Sequence, residues 1–458
     1  MVRKLINFGI FSILFFSSMV FFKEKLPFEF YANYVPLILL LFSFIFKYRF
    51  PTEILYFLFP LLFFGLVNIY FDNNTFPDFL KIFVNIFVGV LFFYYVFEYY
   101  ERDIEEFFNI YIKYCIVACI ICIIQLIFFN LNFKPGWHYG WLGFNKWGLS
   151  MGGAFGLRVN GFFGEPSYVA STIGPAFFIS FYNIFFQKTY FLNKKSSILI
   201  ILTYLLTFSS VAYIGIFFVL VLLLINYGFV RYLAFILPLI IFLFYVLYNN
   251  VPEFHTRMDG LSYLYVDDIL TKEGTEKLSG TNAQQLKRKG KLLRKIHGSS
   301  FVQYNHFNVT KENFFRNPLF GTGLGSHGIA FKKYNLSSII GNQYENNASD
   351  ANSMLMRLTS ETGLFGVIFI FLFIRGNFVK REPNNKISDY HWLISNATLI
   401  IILLQLARQG NYTYGGFMAY MWLYYYTKKD YLKRIEEYEN KKSNPEIVND
   451  SNLLVESK

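Results

Sequence analysis

The chain has 458 residues, of which 54% are hydrophobic, 22% aromatic and only 16% charged, and its formal net charge is +12. A soluble protein carries nearer a quarter of charged residues, so this composition excludes an ordinary soluble enzyme. Apolar runs of about twenty residues recur along the chain, which is the length that a bilayer core requires. The sequence therefore predicts an all-α polytopic membrane protein. The basic residues fall mostly between the apolar runs, so we interpret the net charge as a determinant of orientation and expect no nucleic-acid partner.

Hydropathy predicts about twelve transmembrane helices. Nine of them lie within residues 1–249 and three within 352–427, and a polar cytoplasmic tail follows at 428–458. The predicted spans are 5–22, 31–46, 52–70, 78–97, 111–131, 167–186, 196–209, 211–227, 231–249, 352–374, 391–408 and 415–427. The first is interpreted as a retained span, because its apolar run is not followed by the small-residue cleavage pattern of a signal peptide. The seventh and eighth are so close that we expect a tight helical hairpin.

The charges of the connections predict an orientation. The basic segments "KYRF" (47–50) and "RGNFVKREPNNK" (375–386) alternate with "FDNNTFPD" (71–78) and "QGNYTYGG" (409–416), which hold no Lys or Arg. The positive-inside rule therefore predicts that both termini are cytoplasmic (N-in/C-in). The acidic connection at 98–107 is an exception.

This orientation places two longer segments outside the cell membrane, at 132–166 and 250–351. The second is a large extracytoplasmic loop, too long to be an idle connection in a compact protein. We therefore expect function to reside in these segments and in the helix ends beside them.

Three cysteines, Cys115, Cys119 and Cys122, recur at helical spacing on one apolar run, hence on one helix face. We interpret them as small apolar surface for lipid or a neighbouring helix. A metal site is not predicted, because no His or carboxylate lies nearby in the same span. The sequence suggests no cofactor.

The end of the first outer segment, "RVNGFFGEPS" (158–167), places a charged pair at the start of a span. Its glycines and Pro166 break regular helix, and Pro166 suits a first helical turn. Glu165 then sits at a helix N-terminus, where the helix dipole favours a carboxylate. Two interpretations remain: Glu165 caps the helix beside an interfacial Arg158, or the two line a polar cavity at the outer face.

A glycine-rich segment, "NPLFGTGLGSHG" (317–328), closes the long outer loop. Its glycines allow the backbone to approach a ligand closely, and the alternative is a flexible loop that returns to the membrane. Arg316 immediately precedes it and His327 lies within it.

The segment "DANSMLMRLTSETGLFG" (350–366) begins with residues suited to a helix cap. Arg357 and Glu361 are four residues apart, hence on one helix face. They form either an exposed pair near the interface or a buried pair at a substrate cavity. Arg408 stands at the outer end of a span, against the positive-inside trend. Arginines hold diphosphates through paired hydrogen bonds, which suggests recognition of an anionic lipid head group.

Four stretches, taken in order, resemble one family: "RVNGFFGEPS", "LTFSSVAYIG" (206–215), "NPLFGTGLGS" and "NSMLMRLTSETGLFG". They are similar to the bacterial O-antigen and capsule repeat-unit polymerases of the Wzy type, within a superfamily that includes the O-antigen ligases. The resemblance covers the chain from about 158 onwards, whereas the first five spans match only in hydropathy.

This resemblance implies an enzyme that joins undecaprenyl-diphosphate-linked oligosaccharide units at the outer face of the cytoplasmic (inner) membrane, without a metal or cofactor. Membrane lipid, a chain-length regulator and a flippase are the implied partners. The candidate catalytic residues are Arg158, Glu165 and Glu361. The candidate substrate-binding residues are Arg408, Arg357, Asn352, His327, Gly323 and Arg316. Arg158 and Arg408 are expected to stabilise charge on the departing diphosphate, and Glu165 or Glu361 to accept the proton of the incoming hydroxyl.

Two alternatives remain. Ligases characteristically have a histidine where this chain has Asn352, and an amide cannot act as a base, which favours a polymerase. A polysaccharide flippase or other transporter is the non-enzyme alternative. It would show charged residues deep in several spans, whereas here the charges concentrate at the outer segments.

Overall fold

The computed structural model describes residues 2–16, 18–21, 30–144, 149–153, 155–228, 298–336, 347–382, 388–413 and 416–443, with scattered positions between 238 and 260. The predicted span at 231–249 and much of the predicted outer loop therefore lie largely outside the described residues. The described chain is almost entirely helical. Its two short strands, β1 (Val20–Phe21) and β2 (Phe30–Tyr31), pair in antiparallel fashion.

The helices, in chain order, are α1 (Val2–Phe15), α2 (Tyr34–Lys47), α3 (Glu53–Tyr70), α4 (Phe76–Tyr99), α5 (Ile104–Asn130), α6 (Lys134–Trp137), α7 (Pro166–Phe185), α8 (Lys194–Leu206), α9 (Ser210–Tyr227), α10 (Gly298–Arg316), α11 (His327–Tyr334), α12 (Met354–Asn377), α13 (Ser388–Arg408) and α14 (Phe417–Ser443). A single 3-10 turn at Tyr139–Leu142 follows α6. The described part of the predicted outer loop 250–351 is thus helical at α10 and α11. Helices α8 and α9 are joined by three residues, but both pack mainly against α7 and scarcely against each other, so the predicted tight hairpin is wrong.

Seven of the described helices are long and apolar enough to cross a membrane: α3, α4, α5, α7, α9, α12 and most of α13. This confirms the helical architecture, and by length and composition these seven helices suit a polytopic membrane protein. The predicted first span, 5–22, is wrong in its extent, because α1 ends at Phe15 and the chain then turns into β1. The last predicted span, 415–427, is the first half of a longer helix, since α14 continues to Ser443.

Contacts between helix ends define two faces of the bundle. One face holds the connections that join α3 to α4, α5 to α7, α8 to α9 and α13 to α14. We call it the site face, because the candidate functional site described below lies there. On this face the Asn74 side chain donates to the Leu324 carbonyl at 2.7 Å. The Val159 backbone amide donates to the Leu206 carbonyl at 3.3 Å. Segments predicted to lie outside therefore come together at one face.

The opposite face holds the connections that join α4 to α5, α7 to α8 and α12 to α13. Tyr190 donates its hydroxyl hydrogen to Asp389 at 3.0 Å, which links two of these connections. The Arg381 backbone amide donates to the Asn226 side chain at 2.9 Å and attaches the end of α9. The segments predicted to be cytoplasmic thus meet at this face.

The acidic connection 98–107, which departs from the positive-inside trend, is balanced by arginines from distant elements. Arg3 on α1 pairs with Glu106 at 2.5 Å, and Arg434 on α14 approaches Glu105 at 3.7 Å. Exposed pairs of this kind stabilise a fold by little. Their consequence is electrostatic, because they offset part of the local negative charge that made this connection an exception.

Helices α7 and α13 form the centre of the bundle. In their most apolar windows 78% and 83% of residues are buried, against 33% in α5 and in α9. Gly174 permits this packing, since a Cβ there would lie 3.2 Å from side-chain atoms of Ile400 and Leu404. Pro166 is the first residue of α7, as predicted. The central position of α7 and α13 brings Glu165 and Arg408 to the middle of the site face.

The three cysteines are fully buried on α5 and are not oxidised. Gly161, from the segment before α7, packs against Cys122, since a Cβ at that glycine would lie 3.0 Å from the sulfur. The cysteine face of α5 therefore packs against protein, one of the two surroundings that the sequence suggested.

Candidate functional site

Helix α12 is broken at Gly363, whose φ of 60° and ψ of −150° are not helical. The glycine-rich segment 317–328 inserts into this break. The Leu364 amide donates to the Pro318 carbonyl at 2.8 Å, and the Gly323 amide donates to the Glu361 carbonyl at 2.8 Å. A break in a membrane helix must be re-satisfied by neighbouring groups, and here the inserted segment provides them.

The glycines are explained by this insertion. A Cβ on Gly321 would lie 2.5 Å from the Thr362 backbone nitrogen, and one on Gly363 would lie 2.6 Å from the Pro318 carbonyl oxygen. Gly323 has a φ of 92°, and its α-carbon faces Asn68 on α3. The sequence predicted close backbone approach to a ligand at this segment. The structure shows instead that the close partner is the backbone of α12.

Immediately before the break, Arg357 and Glu361 form an ion pair with 2.9 Å between Nε and Oε1. Their side chains are only 3% and 0% exposed, so the pair is buried and the exposed interpretation is wrong, while its place at a substrate cavity stays a prediction. Arg357 also donates to the Gly410 carbonyl at 2.9 Å and lies over the ring of Tyr412. We call these four residues the ion-pair cluster. Loss of one partner from such a pair leaves an uncompensated buried charge and costs about 3–5 kcal/mol.

Tyr412 completes the coordination of the buried carboxylate by donating its hydroxyl hydrogen to Glu361 Oε2 at 2.9 Å. Burial, and then the charge of Glu361, raise the pKa of Tyr412 well above its ordinary value. The phenol therefore stays protonated and acts as a donor. Glu361 therefore accepts at both oxygens. Oε1 accepts from Arg357 and, at 3.4 Å, from the His327 backbone amide, and Oε2 accepts from Tyr412.

His327 belongs to a buried histidine pair. Its Nε2 lies 3.1 Å from Nδ1 of His306 on α10, and both residues are fully buried. Burial, then the neighbouring His306 and then Arg357 lower the pKa of His327 well below its ordinary value. The imidazole is therefore neutral. Sequence reasoning missed His306, because the pair joins residues 21 positions apart that only the packing of α10 against α11 brings together.

A second polar group lies beside this cluster, partly exposed on the site face. Gln303 Oε1 on α10 accepts from Arg408 Nη1 and, at 3.2 Å, from Asn352 Nδ2. The backbone of Asn352 is in a left-handed conformation, with a φ of 53°. Its backbone amide donates to Asp350 Oδ1 at 2.9 Å. We call Gln303, Arg408, Asn352 and Asp350 the polar rim. Gln303 gave no signal in the sequence.

Glu165 is exposed at the N-cap position of α7, with extended backbone and no capping bond from its side chain to a backbone amide of the helix. Its Oε2 accepts from the Ser167 hydroxyl at 3.0 Å. Burial mainly raises the pKa of Asp350, and the charge of Glu165 raises it further, whereas the Asn352 amide and Arg357 lower it. The contribution of Glu165 is the smallest of these, and a raised carboxyl pKa such as that of Asp350 is typical of acid–base sites.

The remaining predicted residues lie apart from these groups. Arg158 is partly buried, and its Nε donates to the Thr207 carbonyl at 3.2 Å, in the connection between α8 and α9. Arg316 is exposed at the end of α10, with its guanidinium 5.2 Å from the ring centre of Tyr334. The structure thus brings six of the nine predicted residues to the ion-pair cluster, its inserted segment and the polar rim, and Glu165 lies at the start of α7 on the same face. Arg158 shares only the face, and Arg316 stands away.

An apolar crevice of about 450 Å³ lies between α3, α4, α12 and α14. At the site face it is lined by Leu324, Met354 and Tyr412, so the ion-pair cluster borders one of its ends. At the opposite face it is lined by Glu53 and Lys429. Its volume is in the range of cavities that hold small ligands.

Within the described ranges, no three His, Cys, Asp or Glu side chains are grouped so as to hold a metal ion. No protein-family model matches the chain, and no curated protein and no solved structure matches it either. The function is therefore argued from the site itself.

Proposed function

We propose that this protein is a membrane glycosyltransferase that polymerises undecaprenyl-diphosphate-linked oligosaccharide repeat units into O-antigen or capsular polysaccharide. The carrying observation is the polar rim, where Arg408 is partly exposed and bonded to Gln303 beside Asn352 and Asp350, next to an apolar crevice. A lipid-linked donor has the two complementary parts, an isoprenoid chain and an anionic diphosphate that bears the sugars. The site-face half of the crevice would hold the start of the chain, and the rim the head group.

The proposal includes a topology of about twelve spans with both termini in the cytoplasm. The site face then lies at the outer face of the cytoplasmic membrane, where flipped repeat units are found. The grouping of the predicted outer connections at one face supports this orientation, as does the balancing of the acidic connection by arginines.

In the reaction, an acceptor hydroxyl attacks the anomeric carbon of the donor while the glycosidic bond to the lipid diphosphate breaks. Negative charge builds on the departing diphosphate, and Arg408, the partly exposed cation of the polar rim, would stabilise it. Arg158 lies on the same face beside the connection between α8 and α9, and the proposal requires the diphosphate to reach it as well. A preorganised donor of this kind lowers a barrier by about 2.7–4 kcal/mol in one measured case.

The proton of the acceptor hydroxyl needs a base within hydrogen-bonding distance. We assign this role to Glu165, because it is exposed and its neighbour Asp350 is electrostatically coupled to it. Glu361 is a poor candidate, since it is fully buried and both of its oxygens accept hydrogen bonds. We assign Glu361 to holding Arg357 and Tyr412 in place beneath the rim.

One observation favours a second candidate, a transporter of an anionic glycolipid. Broken helices beside charged groups are typical of transporter binding sites, and α12 is broken directly after Glu361. A ligase is the enzyme alternative, with Asn352 in place of the characteristic histidine as the argument against it.

Deletion of the gene, followed by size analysis of the surface glycan, distinguishes these functions. Loss of a polymerase leaves single repeat units on the acceptor. Loss of a ligase leaves polymer on the lipid carrier, and loss of a transporter leaves units at the inner face. A full ladder of chain lengths after deletion would contradict the polymerase assignment.

Complementation of the deletion with variants tests the residues. Arg408→Ala and Arg158→Ala are expected to reduce polymer by about 100- to 1,000-fold, as removal of a transition-state donor does. Glu165→Gln is expected to abolish long chains. Arg375→Ala, exposed at the opposite end of α12, is the matched control and should restore the ladder. Normal chain length with Glu165→Gln would contradict the assignment of Glu165 as the base and leave it only as the residue before the first turn of α7.

A further inference from the structure

The crevice reaches from the site face to the opposite face. Its lining includes Met354 near the start of α12 and Phe373 near its end, on either side of the break at Gly363. A lipid head group at the site face leaves the half at the opposite face for a second occupant.

The half at the opposite face is lined by a group of aromatic rings: Tyr94, Trp422, Tyr425 and Tyr426. Trp422 donates its indole hydrogen to the Val90 carbonyl at 2.9 Å, and its ring stacks on Tyr426. Tyrosine and tryptophan favour the depth at which acyl chains meet head groups. An acyl chain from the leaflet at this face would therefore lie along these rings, with its head group at the end of the crevice.

The charges at this end of the crevice indicate which head group fits. Arg102 is already paired with Glu98 at 2.5 Å, so this pair contributes no net charge. Lys429 and Glu53 both line the crevice and are exposed, and neither has an ion-pair partner among the described residues. One unpaired cation and one unpaired anion suit a zwitterion better than an anionic lipid.

We propose that the opposite-face half of the crevice binds a phospholipid whose head group carries a primary ammonium, as phosphatidylethanolamine does. Lys429 binds its phosphate, Glu53 binds its ammonium, and one acyl chain lies against Trp422. A quaternary ammonium has no hydrogen to donate to Glu53, so phosphatidylcholine fits less well. The site is independent of the proposed polymerase activity.

Fluorescence quenching of Trp422 tests this assignment on the full-length protein in vesicles, without any glycan substrate. Lipids with dibrominated acyl chains quench a tryptophan that they contact. The signal of Trp422 is the difference between the protein and its Trp422→Phe variant, which removes one of five tryptophans. Brominated phosphatidylethanolamine, phosphatidylcholine and phosphatidylglycerol are compared at equal mole fractions.

We expect phosphatidylethanolamine to occupy the site about fivefold more readily than phosphatidylcholine, the upper range for an exposed ion pair. Glu53→Gln should remove this preference, whereas Lys429→Gln should weaken quenching by all three lipids, because each of them carries the phosphate. Lys433→Gln, on the same helix one turn further on, is the control and should retain it. Equal quenching by all three lipids, stronger quenching by phosphatidylglycerol, or no quenching of Trp422 would each overturn the proposal. Failure of the polymerase test would leave these outcomes unchanged.

Discussion

Burial separates residues that look alike in the sequence. Glu165 and Glu361 are both carboxylates near an arginine and near the start of an apolar helix. The first is exposed at a helix N-terminus, whereas the second is completely buried under Arg357 and Tyr412. Their chemical capacities differ accordingly, because a substrate hydroxyl can reach the exposed carboxylate, whereas the oxygens of the buried one already accept from Arg357 and Tyr412. The sequence suggested Glu165 as the first candidate base and Glu361 as the second, and burial favours the first.

His327 makes the buried cluster sensitive to acid. Its pKa in the folded protein is lowered, so between that value and the ordinary value near 6.5 the unfolded chain binds a proton that the folded protein does not. The stability due to a neutral His327 is therefore fully present above about pH 6.5 and decreases as the pH falls below it. His306 and Arg357 oppose a charge on His327, whereas Glu361 would favour one.

We expect the thermal unfolding midpoint, measured in detergent, to fall between about pH 7.5 and pH 5.5. His327→Gln should flatten this dependence, because glutamine does not titrate. His138→Gln, in the connection after α6, should leave it unchanged. A His327→Gln protein with the same acid dependence as the native one would show that other groups cause it.

The structural element that organises the site is the broken helix α12 together with the segment inserted into it. The spacing of Arg357 and Glu361 correctly predicted that they share a helix face, because that relation is local. Hydropathy predicted one continuous span at 352–374, because a glycine within an apolar run lowers hydropathy little. The break depends on the glycine-rich segment, which lies some forty residues earlier in the chain.

Gly363→Ala tests this arrangement. The new Cβ would lie 2.6 Å from the Pro318 carbonyl and 2.7 Å from the Gly321 nitrogen, in a backbone conformation that suits only glycine. Strain of this kind costs about 1–3 kcal/mol before the steric overlap is counted. We expect a clearly lower unfolding midpoint and reduced polymer in the complementation assay.

Gly376→Ala provides the matched control at the other end of α12, because its Cβ would meet nothing within 4 Å. It should be neutral or stabilise the helix by up to about 1 kcal/mol. An unfolding midpoint for Gly363→Ala equal to that of Gly376→Ala would contradict the insertion described for the glycine-rich segment.

For the whole molecule, the two faces define the orientation that the function requires. Asn411 is exposed on the site face, and Arg375 is exposed on the opposite face. The native cysteines are buried on α5, so an introduced cysteine should dominate the labelling. In right-side-out membrane vesicles, an impermeant maleimide should label Asn411→Cys directly and Arg375→Cys only after the membrane is opened. The reverse pattern would place the site in the cytoplasm and exclude outer-face polymerisation.

The sequence by itself determined the helical, membrane-spanning character of the chain, the start of α7 at Pro166 and the shared face of Arg357 and Glu361. These properties follow from composition, run length and helical spacing, which act over a few residues. Only the tertiary structure decided that this pair is buried, that His306 meets His327 and that Gln303 joins Arg408 to the rim. Each of these contacts joins residues far apart in the chain, and the packing of α10 and the glycine-rich segment against α12 and α13 sets them.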